Sequence, residues 1–123
     1  MRIRVFVYGT LRKDQVNHYL LEGAGFLGFY TTAPIYKMFD LGAYPGVTKG
    51  GRTAIQGEVY AVNTRIMADL DQLEGYPIDY TRAHISTPWG RAWIYLYRRS
   101  LRDWNAMPSG VWQDPLHLRR WSR

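Results

Sequence analysis

Two short stretches of this chain carry residue types that could do chemistry. The first is Tyr8-Gly9-Thr10-Leu11. The alternating segment that precedes it reads as a strand, so these residues form a tight turn between a strand and a helix. Gly9 lets a ligand approach the backbone closely. Successive N–H groups in such a turn make a nest for a carboxylate or a developing oxyanion. An ordinary strand-to-helix turn is the alternative. The stretch lacks the further glycines of a dinucleotide loop and the lysine of a P-loop, which disfavours a nucleotide site. The second is Glu74, one of three glutamates in the chain. It falls at the C-terminal end of an expected helix, just before Gly75. The helix dipole is negative there, so a carboxylate is misplaced. Leu73, Tyr76 and Pro77 around it point to partial burial. Both effects raise a carboxyl pKa toward the range useful for a general acid/base. A solvated glutamate on a helix end is the alternative.

Further candidates are weaker. Tyr80 and Arg82 share one side of the strand that follows Glu74. The Tyr80 hydroxyl could reach a substrate carboxylate, and Arg82 could hold it or pair with Asp79 or Glu74. A core tyrosine beside a surface arginine is the commoner arrangement. The segment Asp40-Leu41-Gly42-Ala43-Tyr44-Pro45-Gly46-Val47 could rim a pocket or merely connect two strands. His18, His84 and His117 lack metal-ligand spacing, so no metal site is expected. No serine sits in a Gly-x-Ser-x-Gly frame. The chain has no cysteine, which excludes a thiolate nucleophile, a Cys-type zinc site and an iron–sulfur cluster.

These residues must be positioned by one domain, because the chain has 123 residues and a domain takes roughly 100–200. With 46% hydrophobic and 21% charged residues it is globular. No apolar run approaches the roughly 18 residues of a membrane span, and Met1 to Tyr8 is too short and alternating for a signal peptide. A cytoplasmic location and no membrane partner are therefore expected. The net charge is +6. Its arginines are scattered, apart from a C-terminal group of Arg98, Arg99, Arg102, Arg119, Arg120 and Arg123. Dispersed charge suits solubility or small anionic substrates better than a phosphate-tracking groove, so nucleic acid is disfavoured as a partner.

Strands are expected over 2–8, 25–32, 35–40 and 55–62, and over a hairpin of 81–87 and 91–98 turning at Pro88-Trp89-Gly90. Residues 41–52 are Gly-rich and read as a loop. A short helix is expected over 15–21. A second starts at the cap signal Asn63-Thr64 and runs to Leu73, with Ile66, Met67, Leu70 and Leu73 as its apolar stripe and Gly75 as its stop. The last 25 residues are expected to be irregular, packed in part by Trp104 and Trp112. The fold class is α+β, with a curved or barrel-like sheet.

Several segments, in order, resemble the γ-glutamylcyclotransferase-like family, in particular its small bacterial single-domain members of the γ-glutamylamine cyclotransferase type. They are Val5-Phe6-Val7-Tyr8-Gly9-Thr10-Leu11-Arg12, Leu41-Gly42-Ala43-Tyr44-Pro45-Gly46, Gly57-Glu58-Val59-Tyr60 and Leu70-Asp71-Gln72-Leu73-Glu74-Gly75 followed by Tyr80 and Arg82. The hairpin Thr87 to Tyr95 and Ser109-Gly110-Val111-Trp112 also fit. The resemblance implies a domain over residues 1–114 with a basic tail at 115–123, and a small mixed barrel-like sheet with two short flanking helices. It also implies cyclisation of a γ-glutamyl amine or γ-glutamyl amino acid to 5-oxoproline, without a cofactor. Tyr8, Gly9, Thr10 and Leu11 would then bind the γ-glutamyl group, Glu74 would be the acid/base, and Tyr80 is a further expected substrate contact. The family includes bacterial members without that glutamate and members with no established activity. A non-catalytic binding or interaction module of the same fold is therefore the alternative.

Overall fold

The alternating N-terminal stretch becomes β1 (Ile3–Val7), and its place in the sheet explains its composition. In the computed structural model, which describes residues 3–102 and 104–113, β1 is the centre of a five-stranded sheet. The order is β2-β5-β1-β7-β6, with β2 (Gly25–Thr31), β5 (Gln56–Val62), β6 (Tyr80–Thr87) and β7 (Gly90–Tyr97). It pairs antiparallel with β5 and parallel with β7, so the sheet is mixed. Val5 and Val7 face one core and Phe6 the other, and all three are buried. A central strand covered on both sides needs apolar residues on both faces.

One face is covered by α1 (Thr64–Leu73), which packs Ile66, Met67 and Leu70 against Val5, Val7, Tyr60, Val62 and Tyr95. The helix starts where the sequence signals it. The Asn63 side chain accepts the Ile66 N–H at 2.8 Å, satisfying one of the donors that a helix start leaves free. Replacing Asn63 with Ala is expected to lower unfolding free energy by about 1 kcal/mol, measurable by urea denaturation. Leu73, the expected last member of the apolar stripe, is 40% exposed. It lies one turn beyond Leu70, past the sheet's cover.

The other face packs against a second sheet of order β4-β3-β8, with β3 (Tyr36–Asp40), β4 (Pro45–Lys49) and β8 (Asn105–Ala106). Phe6, Val59, Ile94, Met38, Val47, Ile55 and Trp112 form the core between the sheets. β4 lies in the segment expected to be a loop. It is an edge strand that begins with proline and pairs with β3 from Asp40↔Pro45 to Tyr36↔Lys49. An edge strand tolerates Pro at its first residue, because the missing N–H costs no ladder bond there. Residues 98–102 and 104–113 are irregular apart from β8, with Trp112 fully buried and Trp104 43% exposed.

Two expectations about shape need correction. The chain has one α-helix among the described residues. The expected helix over 15–21 is only a short 3₁₀ turn, His18–Leu21, preceded by turns that start at Gly9. Side chains of Asn17 and His18 bond to the turn itself, which competes with helical backbone bonding. The larger sheet does not close: β2 and β6 are its edges, with no ladder between them. They are bridged only by side chains, the Tyr30 hydroxyl donating to Ser86 O at 3.0 Å and the Trp89 ring lying against Gly28. The basic tail at 115–123, with His117, lies outside the described residues.

Candidate functional site

The turn after β1 is pinned from outside by its own carbonyls. Gly9 O accepts the Arg12 N–H at 3.1 Å and Arg12 Nε at 3.2 Å. Thr10 O accepts the Asn17 N–H at 2.9 Å, Thr10 Oγ1 accepts Asn17 Nδ2 at 2.9 Å, and Leu11 O meets His18 Nδ1 at 2.9 Å. The N–H groups of Gly9, Thr10 and Leu11 donate to no acceptor among the described residues. Backbone donors this close to a core are normally paired, so three free ones in a row are available to an acceptor from outside the fold. Arg12, Asn17 and His18 were not recognisable as supports from sequence. Their bonds depend on how the chain folds back, and no local pattern encodes that.

Glu74 ends α1 as its C-cap residue, and Gly75 follows at φ 62°. That left-handed conformation turns the chain, and a Cβ at Gly75 would lie 2.4 Å from an Asp79 carboxylate oxygen. The helix end is tied to the sheet by Asp71. Its carboxylate accepts the Tyr95 hydroxyl at 2.7 Å and pairs with Arg82 Nη1 at 3.0 Å. Arg82 is held between the Tyr76 and Trp93 rings, 4.5 and 4.6 Å from their centroids. Arg82 therefore pairs with Asp71, and neither of its expected partners, Asp79 or Glu74, is used. Asp79 pairs with Arg99. Asp71 sits three residues before Glu74, one turn back on the same helix face, so this network fixes where the Glu74 side chain emerges.

The structure brings Glu74 and the turn together. Tyr8, Gly9, Thr10, Leu11, Glu74 and Tyr80 line one inner recess of about 20 Å³, room for about one water-sized group. An outer recess of about 170 Å³ shares Thr10, Tyr44, Glu74 and Tyr80 with it and adds Asn17, Leu73 and Asp79. Glu74 stands where the two meet. Its carboxyl has no hydrogen-bond or ion-pair partner among the described residues. Burial without a compensating cation pushes its pKa up to about 7. Tyr8, Tyr80 and Tyr95 surround it, and burial raises each of their pKa values, helped by the Glu74 charge. All three therefore stay neutral phenols near pH 7.

Their hydroxyls are already committed as donors. Tyr8 donates to Tyr95 O at 2.8 Å and Tyr80 to Pro45 O at 2.7 Å. The expected reach of the Tyr80 hydroxyl toward a ligand is thus taken up by β4, and Tyr80 contributes a wall. Sequence reasoning did not single out Tyr95, whose only signal was its alternation in β7. The Gly/Pro segment does rim the cavity, through Tyr44 and Pro45. Among the described residues no group of three or more His, Asp or Glu could hold a metal ion, and no helix is long and apolar enough to cross a membrane.

The family model described as "Gamma-glutamyl cyclotransferase, AIG2-like" matches residues 5–114. The chain belongs to this family. Within the gamma-glutamyl cyclotransferase, AIG2-like family, a Vibrio cholerae protein named "Putative gamma-glutamylcyclotransferase" is 46% identical over 112 residues, covering 91% of this chain and 96% of that protein. The Escherichia coli family protein YtfP is 38% identical over 91% of this chain and 97% of its own length. Among solved structures, an uncharacterized Pyrococcus horikoshii protein superposes with a TM-score of 0.80 at 28% identity, covering 97% of this chain and 96% of that one. A mouse AIG2-like protein superposes with a TM-score of 0.80 over 94% of this chain and 92% of that one, at 21% identity, which establishes the shared fold alone.

Proposed function

We propose that this protein cyclises a γ-glutamyl amine or γ-glutamyl amino acid, releasing 5-oxoproline and the free amine or amino acid. The observation that carries the reading is a carboxyl with a pKa near 7 beside three backbone N–H groups, all unpaired among the described residues and all on residues that line one cavity. The substrate's α-amine attacks its own γ-carbonyl carbon. A C–N bond forms, the carbonyl oxygen becomes an oxyanion, and the bond to the leaving nitrogen then breaks.

Glu74 moves the proton. The amine's proton passes to a carboxylate whose pKa near 7 lies closer to the amine's own than that of an ordinary glutamate. Relative to an ordinary glutamate near 4.3, this narrows the gap by about 2.7 pKa units, or roughly 4 kcal/mol. The protonated Glu74 then gives the proton to the departing nitrogen, so nothing is consumed. The turn's N–H groups stabilise the oxyanion, a contribution of about 3–4 kcal/mol per donor in comparable sites. The inner recess suits that single oxygen, and the outer recess receives the rest of the substrate. Ring closure is intramolecular, so holding the chain folded removes much of the remaining barrier. The reading needs no cofactor.

The experiment is a panel of γ-glutamyl amines and γ-glutamyl dipeptides incubated with purified protein, with 5-oxoproline as the readout. Release from at least one is expected. A folded protein inert on the whole panel overturns the reading and favours a binding module of the same fold.

Gly9 is a sharp test of the turn. A Cβ there would lie 2.7 and 2.8 Å from the Pro45 ring carbons, closer than van der Waals contact allows. Gly9→Ala is therefore expected to push the turn off Pro45 and lower kcat/KM by roughly 100-fold, as an ångström-scale displacement does. Steady-state kinetics with a circular-dichroism check of folding measures it.

A further inference from the structure

A second cavity shares no lining residue with the two recesses at Glu74. Its volume is about 380 Å³, within the range that small-molecule sites occupy (roughly 300–1,000 Å³). Arg12 and Glu58 line it together with Phe29, Tyr30, Gln56 and Val111. Glu58 is a carboxylate only 6% exposed. Buried charges of opposite sign normally pair, because neither is otherwise compensated for lost water. Here they do not. Arg82–Asp71 and Arg99–Asp79 are the ion pairs among the described residues, and no Arg12–Glu58 contact lies within 4.0 Å.

Each charge is instead held in place by neutral partners. Arg12 donates to Gly9 O and to Trp112 O. Glu58 Oε1 accepts the Lys13 N–H at 2.9 Å and the Tyr60 hydroxyl at 2.8 Å. Arg12 Nη1 and Glu58 Oε2 carry no hydrogen bond among the described residues. Neither belongs to the sealed partnerless atoms, which are on Gln15, Arg82 and Trp112, so both are reached by solvent, on two residues that line the cavity. Phe29, 74% exposed on the β2 edge, stands at the rim.

We propose that this cavity binds a free α-amino acid with an apolar side chain. Its carboxylate meets the Arg12 guanidinium, its ammonium meets Glu58, and its side chain lies against Phe29 and Tyr30. One zwitterion closes both open charges at once, which neither a simple amine nor a simple acid can do. Arg12 and Lys13 continue directly from Gly9–Leu11, so the ligand bears on the residues that pin the turn. The site does not depend on the chemistry at Glu74.

Isothermal titration calorimetry of the full chain with L-leucine tests this, with isoamylamine and isocaproate as controls lacking the carboxylate or the ammonium. Saturable binding of leucine is expected, with each control at least about tenfold weaker, the scale of one lost charge-assisted pair. Glu58→Gln and Arg12→Gln should each weaken leucine by at least about tenfold, while Glu74→Gln leaves its affinity unchanged. Phe29→Ala changes an exposed side chain outside the core and should weaken leucine without unfolding the protein. The proposal is overturned by no saturable heat from leucine, by controls that bind equally well, by loss of binding in Glu74→Gln, or by unchanged affinity in Phe29→Ala.

Discussion

Glu74→Gln is expected to lower kcat for 5-oxoproline release by about 10²–10⁴-fold, the range that a positioned general acid/base contributes. KM should change little, because glutamine keeps the shape of the side chain and the backbone N–H groups at Gly9, Thr10 and Leu11 are untouched. In the wild type, the rate is expected to rise with pH through a limb near pH 7, as the buried carboxyl loses its proton. The variant should lack that limb.

The same substitution has a stability signature of opposite sign to its catalytic one. Burial raises the folded-state pKa from the usual 4.5 to about 7. Between those values the folded protein holds a proton that the unfolded chain has released. Stability therefore falls as pH rises from about 4.5 to about 7, and it stays at the lower level above that. Glutamine removes this slope, so the variant should be more stable than wild type at pH 8, by at most on the order of 3 kcal/mol. Thermal melts at pH 4.5 and pH 8 measure the difference. Turnover within about threefold of wild type would take Glu74 out of the mechanism, and a pH-independent stability difference would show its carboxyl to be solvated.

Trp112→Ala is expected to be the most destabilising single change in the core, at about 3–5 kcal/mol. For a domain of this size that lowers Tm by roughly 10–20 °C. Trp112 is fully buried among Phe6, Tyr8, Val47 and Ile55, between the two sheets. Its carbonyl also accepts from Arg12. The segment around Trp112 thus plugs the core and holds the residue that pins Gly9. Trp112→Phe separates packing from hydrogen bonding. The indole Nε1 has no partner among the described residues, so phenylalanine loses volume but no bond, and it frees the fold of a buried donor that costs about 1–3 kcal/mol. Phenylalanine should therefore cost much less than alanine. Equal losses would mean that the indole N–H is bonded after all.

Much of the chain's local structure was legible in its residues. Period-two alternation located β1 and β7, and the turn residues Pro88-Trp89-Gly90 placed the hairpin. Asn63 marked the start of α1 and Gly75 its end, through a side-chain cap and a left-handed turn. Each of those signals acts over a few residues. The failures share one cause, which is that a distant partner decided the outcome. β4 is a strand because β3 lies beside it, in spite of its proline and glycine. The expected first helix shrank to a 3₁₀ turn because Asn17 and His18 bond backward to Thr10 and Leu11.

At the site the division is the same. The residues alone raised the Tyr8-Gly9-Thr10-Leu11 turn as a candidate donor nest, with an ordinary turn as the alternative, and marked Glu74 as a carboxyl at the unfavourable end of a helix dipole. Whether these two faced one another was a matter of tertiary structure. β1 and β7 had to pair in parallel, and Asp71 had to lock the helix end to Arg82 and Tyr95, before Glu74 could enter the recess lined by the turn. The open pair of charges at Arg12 and Glu58, more than forty residues apart, left no trace in the local pattern. Side-chain periodicity records which way a residue points from its own strand or helix. Which other residue it meets depends on strand order and register, and those are set by the packing of the whole core.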